Sequence, residues 1–238
     1  MKMIVSDYDG TIKRFRHEPN IIQRIDLNQD LRHIKKFIEE GNIFNVSSQR
    51  PIVSIKKELE KNKVPYNYVT AYGGLVTFDK DDKLIYAEYL NKEILKGIEE
   101  LSKSTDLLQS IITCDEYGNR KKDLKDKLIL IGLSVRNIRD TMDFFRSLNI
   151  DLNGYHFSFD NHGFWINNII NKNIGINLLL KQIKKQPDEI ITVGDSFHDI
   201  EMVGEHNGWC IKNSELDIFG VDTIKRISNI RSLIKTIK

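Results

Sequence analysis

Short apolar runs separated by amphipathic segments organise the first part of the chain. The apolar runs predict buried strands over residues 3–5, 42–46 and 68–71. The segments between them have apolar residues at helical spacing and predict helices over 31–40 and 51–61. The polar, irregular stretch 14–28 predicts a loop. Because strands alternate with helices, the pattern indicates a parallel sheet with right-handed crossovers.

The pattern changes in the middle of the chain and then changes back. The middle part predicts an antiparallel hairpin over 75–78 and 84–86, helices over 92–103 and 138–148, and strands over 127–135, 152–159 and 163–166. Alternation then returns, with a helix from 172, strands over 189–193 and 209–211, a helix from 199 and a helical C-terminus. We therefore expect an α/β core of residues 1–75 and 168–238, and an α+β domain of residues 76–167 inserted at a surface turn.

Two carboxylates stand at the end of the first predicted strand. Asp7 and Asp9 are two residues apart, so in an extended chain they project to the same side, and Gly10 allows a sharp turn after them. Open α/β sheets place their ligands at the carboxyl ends of strands. Paired acids there suit a divalent cation, or a nucleophile with a neighbouring acid–base group. An Asp-rich turn without function is the alternative.

Further polar groups stand at the ends of other predicted elements. Ser48 follows the second strand, Lys172 opens a helix, and Asp195 and Asp199 follow the strand over 189–193. Because parallel strands end at one edge of the sheet, these groups are expected to converge. Taken singly, Ser48 is equally a turn residue and Lys172 a solvated side chain. The two aspartates alone are equally helix caps favoured by the helix dipole.

The ordered set resembles the four sequence motifs of the haloacid dehalogenase (HAD) superfamily. The matching segments are DYDGT at 7–11, Ser48, Lys172 and GDSFHD at 194–199. The insertion after the third strand resembles a type IIB (Cof-type) cap, as in sugar-phosphate phosphatases. The resemblance implies a Rossmann-like parallel-sheet core with an α+β cap that closes over it and excludes bulky substrates.

The resemblance also implies roles for the motif residues. The expected catalytic residues are Asp7, Asp9, Ser48 and Lys172. Asp7 is expected to form an aspartyl-phosphate, and Asp9 to serve as the acid–base group. Ser48 is expected to contact a phosphoryl oxygen, and Lys172 to offset negative charge.

The resemblance also implies a cofactor, Mg²⁺, and contacts with the substrate. The expected metal site consists of Asp7, Asp9 through its backbone carbonyl, Asp195 and Asp199. Asp199 is expected to orient Lys172 or a metal-bound water. The expected substrate contacts are Gly10, Thr11, Gln49 and Arg50.

Some positions depart from the family pattern or lie in the inserted domain. Gln49 stands where glycine is common, Tyr72-Gly73-Gly74 replaces Asn-Gly-Ala, and His198 replaces asparagine. These departures affect specificity more than catalysis, because each essential acid is present. In the insertion, residues 159–165 face the site or form a surface hairpin, and the basic run 120–122 binds a second anionic group or is a solvated face.

The composition narrows the class of protein. Hydrophobic residues make up 40% and charged residues 29% of the sequence, which is typical of a globular chain. No apolar run approaches the roughly 20 residues needed to cross a bilayer, and no signal peptide is recognisable. A net charge of +2, with basic residues spread along the chain, gives no indication of nucleic-acid binding. Cys114 and Cys210 form no metal-binding motif. We expect a cytoplasmic monomer or weak homodimer without a membrane or nucleic-acid partner.

These observations together predict a Mg²⁺-dependent phosphatase of small phosphorylated metabolites, in particular sugar phosphates. One alternative is a phosphomannomutase-like phosphotransferase, which shares the cap type and first motif but needs extra cationic cap residues. The other is a catalytically silent binding or regulatory module on a HAD scaffold. The presence of Asp7, Asp9, Lys172 and Asp195 argues against the silent module.

Overall fold

A computed structural model describes residues 1–103, 107–121, 124, 127–160, 163–184, 186–219 and 223–237. The strands are β1 (Lys2–Asp7), β2 (Ile43–Ser47), β3 (Tyr68–Ala71), β4 (Val76–Asp79), β5 (Leu84–Ala87), β6 (Leu108–Cys114), β7 (Arg120–Lys121), β8 (Leu130–Val135), β9 (Tyr155–Asp160), β10 (Gly163–Asn168), β11 (Glu189–Gly194), β12 (Asn207–Ile211) and β13 (Lys225–Ile227). The α-helices are α1 (Ile21–Glu39), α2 (Ile52–Asn62), α3 (Lys92–Ser102), α4 (Ile138–Ser147), α5 (Lys172–Gln182), α6 (Ile200–Glu205), α7 (Glu215–Phe219) and α8 (Ile230–Thr236). Short 3₁₀ turns cover Tyr72–Gly74, Leu152–Gly154 and Phe197–Asp199.

The chain divides into two compact units. One consists of Met1–Tyr86 and Asn171–Lys238, and we call it the core unit; the other, Ala87–Ile170, is the inserted unit. The sheet of the core unit has the order β13-β12-β11-β1-β2-β3-β4-β5. Strand β1 pairs in parallel with β11 and β2, and parallel pairing continues to β12, β13 and β3. The predicted α/β fold with a parallel sheet and an α+β insertion is confirmed.

Strand β1 lies in the middle of this sheet because its sequence tolerates burial on both faces. Met3, Ile4 and Val5 are completely buried. A parallel strand covered on both faces requires such an uninterrupted apolar run, instead of an alternating one. The same strand then delivers Asp7 to the carboxyl edge, with Ser47 of β2 as its neighbour in register.

Helix α1 begins inside the stretch that the sequence predicts as a loop, so that part of the prediction is wrong. Its first turn is fixed by a capping box, in which the side chain of Asn20 accepts the N–H of Gln23 and the Gln23 side chain accepts the N–H of Asn20. Ile21, Ile22 and Ile25 are exposed. Their spacing of three and four residues is helical, so the sequence did contain a helix signal, which the loop prediction overlooked.

The hairpin of β4 and β5 belongs to the core unit, and not to the inserted domain as expected. Strand β4 pairs antiparallel with β3 and extends the large sheet. The hydroxyl of Tyr86 in β5 donates to the carbonyls of Gly74 (2.7 Å) and Gly175 (3.0 Å). These contacts hold the hairpin to the core, so the inserted unit begins at Ala87 instead of residue 76 and ends at Ile170 instead of residue 167.

The inserted unit is an antiparallel sheet with two helices. The sheet has the order β7-β6-β8-β10-β9. Its core contains Ile94 and Ile98 of α3, Phe145 of α4, Leu133 of β8 and Phe164 of β10. Strands β6 and β7 were not predicted from the sequence, because they lie next to a long polar stretch without clear periodicity. Within the described ranges, no helix is both long and apolar enough to span a bilayer.

Candidate active site

Asp7 ends the central strand at the carboxyl edge of the core sheet. The residue is only 6% exposed, so its carboxylate has little access to bulk water. Burial without compensation is costly for a charged carboxylate, and the structure supplies a cation directly beside it. The ammonium group of Lys172 donates to Asp7 Oδ1 over 2.5 Å.

Lys172 links Asp7 to a second acid. It is the first residue of α5 and is 2% exposed, and its Nζ also donates to Asp199 Oδ1 at 2.6 Å. The start of α5 is fixed by Asn171, whose side chain accepts the N–H of Ile174. A lysine at the start of a helix is usually solvated, but this one lies buried between two carboxylates.

A close contact between glycines sets the position of helix α5. A Cβ added to Gly175 would lie 2.8 Å from the Cα of Gly74, so a side chain there would push the helix away from the turn after β3. The hydroxyl of Tyr86 bonds to the carbonyls of both glycines. This packing fixes the helix that carries Lys172.

Asp199 has both carboxylate oxygens engaged in hydrogen bonds. Its Oδ1 accepts from Lys172, and its Oδ2 accepts the backbone N–H groups of Asp195 (3.0 Å) and Ser196 (3.1 Å). A Cβ at Gly194 would lie 2.3 Å from the Cβ of Asp199, so only glycine allows this approach. These contacts join Asp199 to both Lys172 and the loop after β11, while its role in orienting Lys172 for catalysis stays a prediction.

Asp195 is held from the other side by the turn after β1. Thr11, which is completely buried, donates its hydroxyl to Asp195 Oδ1 over 3.0 Å. Gly10 has φ +87°, and a Cβ there would lie 2.0 Å from Asp195 Oδ2. The structure thus places these two expected substrate contacts against a carboxylate of the site. Their contact with a substrate stays a prediction.

The acids of the site form a cluster that fits a hard divalent cation. Asp7, Asp195 and Asp199 each have an oxygen within 4.8 Å of the corresponding oxygens of the other two. Carboxylate oxygens are the ligands that Mg²⁺ and Ca²⁺ prefer. Three acids face the single positive charge of Lys172, so a bound cation would balance the excess negative charge.

Burial and neighbouring charges perturb the ionisation of this cluster. Burial raises the pKa of Asp7 well above its usual range, and the positive charge of Lys172 opposes that rise. Burial, reinforced by the charge of Asp199, also raises the pKa of Asp195. Burial alone would lower the pKa of Lys172, but the charges of Asp7 and Asp199 reverse the shift and raise it. The two carboxylates therefore favour the charged, ammonium form of Lys172.

Asp9 lies apart from this cluster and forms an ion pair with Arg50. The guanidinium donates twice, from Nε to Asp9 Oδ2 (2.5 Å) and from Nη2 to Asp9 Oδ1 (2.7 Å). The Asp9 side chain is 45% exposed. The structure thus pairs an expected acid–base group with an expected substrate contact, and sequence reasoning did not predict this pair.

Ser48 is buried in the turn between β2 and α2. Its Oγ accepts the backbone N–H of Arg50 at 3.1 Å, and its own N–H donates to the carbonyl of Thr70. The hydroxyl proton of Ser48 takes no part in these two bonds. The expected contact with a phosphoryl oxygen stays a prediction.

Two of the departures from the family pattern contact each other. The Gln49 side chain lies over Gly73, where a Cβ would come within 2.4 Å of Gln49 Oε1. Gly73 has φ +65° and Tyr72 has φ 50°, so the whole turn is left-handed. The extra bulk of Gln49 is thus accommodated by a glycine on the neighbouring turn.

The third departure from the family pattern, His198, is exposed, and none of the described residues hydrogen-bonds to its ring.

The candidates in the inserted unit are only partly described. Phe159 is 54% exposed, whereas Phe164 is buried and packs against Phe145. Residues 161–162, in the polar part of that segment, and Lys122 of the basic run lie outside the described residues. Both expectations for this unit stay predictions.

A cavity of ≈ 390 Å³ in the core unit contains part of the site and a group of basic residues. Its walls include Asp9, Gly10, Arg50 and Asp195, together with Lys13, Arg14, Phe15 and Arg16. Sequence reasoning treated the stretch after residue 13 as a polar loop and assigned it no role. The basic residues Lys13, Arg14 and Arg16 closely follow the DYDGT motif, and this concentration of positive charge could have indicated a role for the stretch.

Comparisons with known proteins agree with this geometry. A model of the haloacid dehalogenase-like hydrolase family matches residues 4–129 and 113–219. A haloacid dehalogenase-like hydrolase from Bacteroides thetaiotaomicron has a similar structure, with a TM-score of 0.67 and 18% identity over 100% of this chain and 99% of that one. A phosphatase of the HAD superfamily from the same organism has a TM-score of 0.66 and 16% identity, over 100% of this chain and 94% of that one.

A third similar structure is a sugar phosphatase of HAD subclass IIB. It has a TM-score of 0.60 and 14% identity, over 100% of this chain and 98% of that one. Identities this low show a common fold. No curated protein matches the chain significantly.

Proposed function

The chain belongs to the haloacid dehalogenase-like hydrolase family, and we propose that it is a Mg²⁺-dependent phosphatase of small phosphate esters. Sugar phosphates are the proposed substrate class. The observation that carries the proposal is the buried contact of Lys172 with Asp7 and Asp199, beside the third carboxylate of Asp195. The sugar-phosphate class is supported by the shared fold with the subclass IIB sugar phosphatase.

Asp7 is the proposed nucleophile. Its Oδ1 accepts from Lys172, and its other oxygen attacks phosphorus in line with the ester oxygen. The new Asp7–phosphorus bond forms as the phosphorus–ester oxygen bond breaks. Lys172 orients Asp7 and favours its ionised form, because the ammonium opposes the rise in the pKa of Asp7 that burial causes.

Asp9 is the proposed acid–base group. It gives a proton to the departing alkoxide, then takes one from the water that attacks the aspartyl-phosphate and restores Asp7. Because Asp9 is doubly hydrogen-bonded to Arg50, its carboxylate has to turn away from Arg50 to reach the ester oxygen. Ser48 is proposed to donate its hydroxyl to a phosphoryl oxygen.

Asp7, the backbone carbonyl of Asp9 and Asp195 are the proposed Mg²⁺ ligands, and Asp199 fixes the loop that carries Asp195. When bound, the cation supplies charge that lets an anionic carboxylate approach an anionic phosphate. Thr11 donates its hydroxyl to Asp195, and Gly10 leaves room for that carboxylate, which supports the proposed role of Asp195.

Phosphate release from a panel of sugar phosphates, nucleotides and p-nitrophenyl phosphate tests the proposal. The assay is run with Mg²⁺ and with EDTA, on the wild type, Asp7→Asn and the control Asp81→Asn. Asp81 lies in the exposed turn between β4 and β5, and within the described residues its carboxylate bonds only to the neighbouring Lys80. Asp7→Asn keeps the shape of the side chain and removes its charge.

The proposal predicts Mg²⁺-dependent turnover in the wild type and in Asp81→Asn, and none in Asp7→Asn. Turnover that survives in Asp7→Asn contradicts the nucleophile assignment. A folded wild type that binds Mg²⁺ and hydrolyses no compound contradicts the phosphatase and favours a binding module.

A further inference from the structure

The cavity beside Asp9 and Asp195 carries more positive charge than transfer of one phosphoryl group uses. Four of its lining side chains are basic, namely Lys13, Arg14, Arg16 and Arg50. The transferred phosphoryl group already has Lys172 and the proposed cation as partners. These basic side chains share the cavity with Asp9, which on the proposed mechanism protonates the leaving group, so the leaving group would lie in the same cavity.

Three of these four cations are already paired with acids. Arg50 pairs with Asp9, and Lys13 with Glu58 at 2.7 Å. Arg14 pairs with a completely buried carboxylate, that of Asp30, at 2.9 Å. These side chains are held in place by their partners, and their charges are largely compensated.

Arg16 is different. Its side chain is exposed, and among the residues that the structure describes none forms a hydrogen bond or ion pair with it. It also lines a second cavity of ≈ 490 Å³, next to the first, whose walls contain five Lys and Arg side chains and a single acid, Glu18. Lys13 and Phe15 line both cavities as well. Arg16 thus stands where the site opens into a region of net positive charge.

We propose that Arg16 binds a second anionic group, phosphate or carboxylate, on the leaving group of the substrate. This proposal rests on the phosphatase function proposed for the Asp7 site. A guanidinium presents paired donors that match both phosphate and carboxylate oxygens. A cavity of ≈ 390 Å³ lies within the range of about 300–1,000 Å³ typical of small-ligand sites, so it suits a sugar-sized leaving group. The preferred substrates are therefore small esters with two anionic groups.

Matched pairs of substrates isolate the second anionic group. Fructose 1,6-bisphosphate differs from fructose 1-phosphate by one phosphate, and glucuronic acid 1-phosphate differs from glucose 1-phosphate by a carboxylate in place of the C6 hydroxymethyl group. The quantity measured is the ratio of kcat/KM within each pair. Both kcat/KM values of a pair are measured on the same protein preparation. A smaller fraction of folded protein in a variant therefore lowers both values equally and leaves their ratio unchanged.

The ratios are compared in the wild type, Arg16→Ala, Arg16→Lys and the control Arg32→Ala. Arg32 is an exposed arginine of α1 that lines neither of these two cavities. We expect at least one ratio to be well above one in the wild type and to fall about tenfold or more in Arg16→Ala, as loss of hydrogen bonds to a charged group predicts. Arg16→Lys keeps the positive charge but loses the paired donors of the guanidinium. Its ratio should therefore lie between those of the wild type and Arg16→Ala.

The pair that responds identifies the second group as phosphate or carboxylate. Ratios near one in the wild type, or equal in Arg16→Ala and the wild type, overturn the proposal while leaving the phosphatase intact. Calorimetric binding of the four compounds to Asp7→Asn tests the same preference without turnover. If no compound is hydrolysed by the wild type, an Arg16-dependent preference in binding still supports the anion site, and its absence overturns it.

Discussion

Replacing Gly10 with alanine tests whether the turn after β1 positions the proposed metal ligand Asp195. Gly10 has φ +87°, and an added Cβ would lie 2.0 Å from Asp195 Oδ2 and 2.5 Å from its Cγ. Protein atoms do not approach a Cβ this closely, so the carboxylate has to move by about 1 Å or more. The backbone of an alanine at this φ is also strained.

The two effects have different sizes and different consequences. The left-handed backbone costs roughly 1–2 kcal/mol in stability for a residue with a Cβ. Displacing a ligand or reactive group by about 1 Å can cost on the order of 100-fold in rate. We therefore expect Gly10→Ala to lose about 100-fold or more in kcat/KM, and to bind Mg²⁺ more weakly.

Gly41→Ala is the matched control. Gly41 follows the end of α1 with nearly the same φ, +85°, but no described atom lies within 4 Å of an added Cβ. Both variants should lose similar free energy of unfolding in urea, while only Gly10→Ala loses Mg²⁺ affinity by calorimetry and phosphate release. If the two variants have equal activity, the argument that Gly10 makes room for Asp195 is wrong.

Three further predictions concern buried polar groups of the core unit. Lys172→Met keeps the length of the side chain but leaves two buried carboxylates without their cation, so urea unfolding should show a loss of about 3–5 kcal/mol; wild-type stability would contradict this. Burial raises the folded-state pKa of Asp30. Its contribution to stability is therefore fully present below about pH 3.9, the unfolded value, and is lost as pH rises through the folded pKa. Asp30→Asn should remove that decline, and an unchanged slope of unfolding free energy against pH would refute the assignment. Tyr86→Phe removes two hydrogen bonds to buried carbonyls and should cost about 1–3 kcal/mol in the same urea assay, whereas a loss below about 0.5 kcal/mol would show that they contribute little.

The sheet and the acids at its edge could be predicted because local sequence determines them. The apolar runs before Asp7 and before Asp195 are short and apolar throughout, which favours buried strands, and buried parallel strands bring their carboxyl ends together. The burial of Lys172, in contrast, could be predicted only from motifs that are distant in the sequence. Nothing local distinguishes it from a solvated lysine, and only the order of the motifs indicated that it would be buried beside Asp7.

The remainder depends on contacts that no local pattern encodes. The start of α1 is fixed by the capping box of Asn20 and Gln23, and the apolar residues of its first turns are exposed, so burial does not mark this end of the helix. The pairing of Asp9 with Arg50 and the fit of Gln49 over Gly73 join residues from different loops, whose side-chain directions follow from the folded backbone. The hairpin ending at Tyr86 was assigned to the wrong unit, because a hairpin sequence does not reveal which sheet it extends.

Trapping the covalent intermediate tests the central proposal, that Asp7 becomes phosphorylated during turnover. The enzyme is mixed with Mg²⁺ and a hydrolysed substrate, quenched during the first turnovers, and treated with borohydride, which reduces an aspartyl-phosphate to homoserine. Peptide mass spectrometry then reads the modified position. The account predicts homoserine at position 7 only when substrate and Mg²⁺ are both present. Turnover with an unmodified Asp7, or with the modification at another acid, would contradict it.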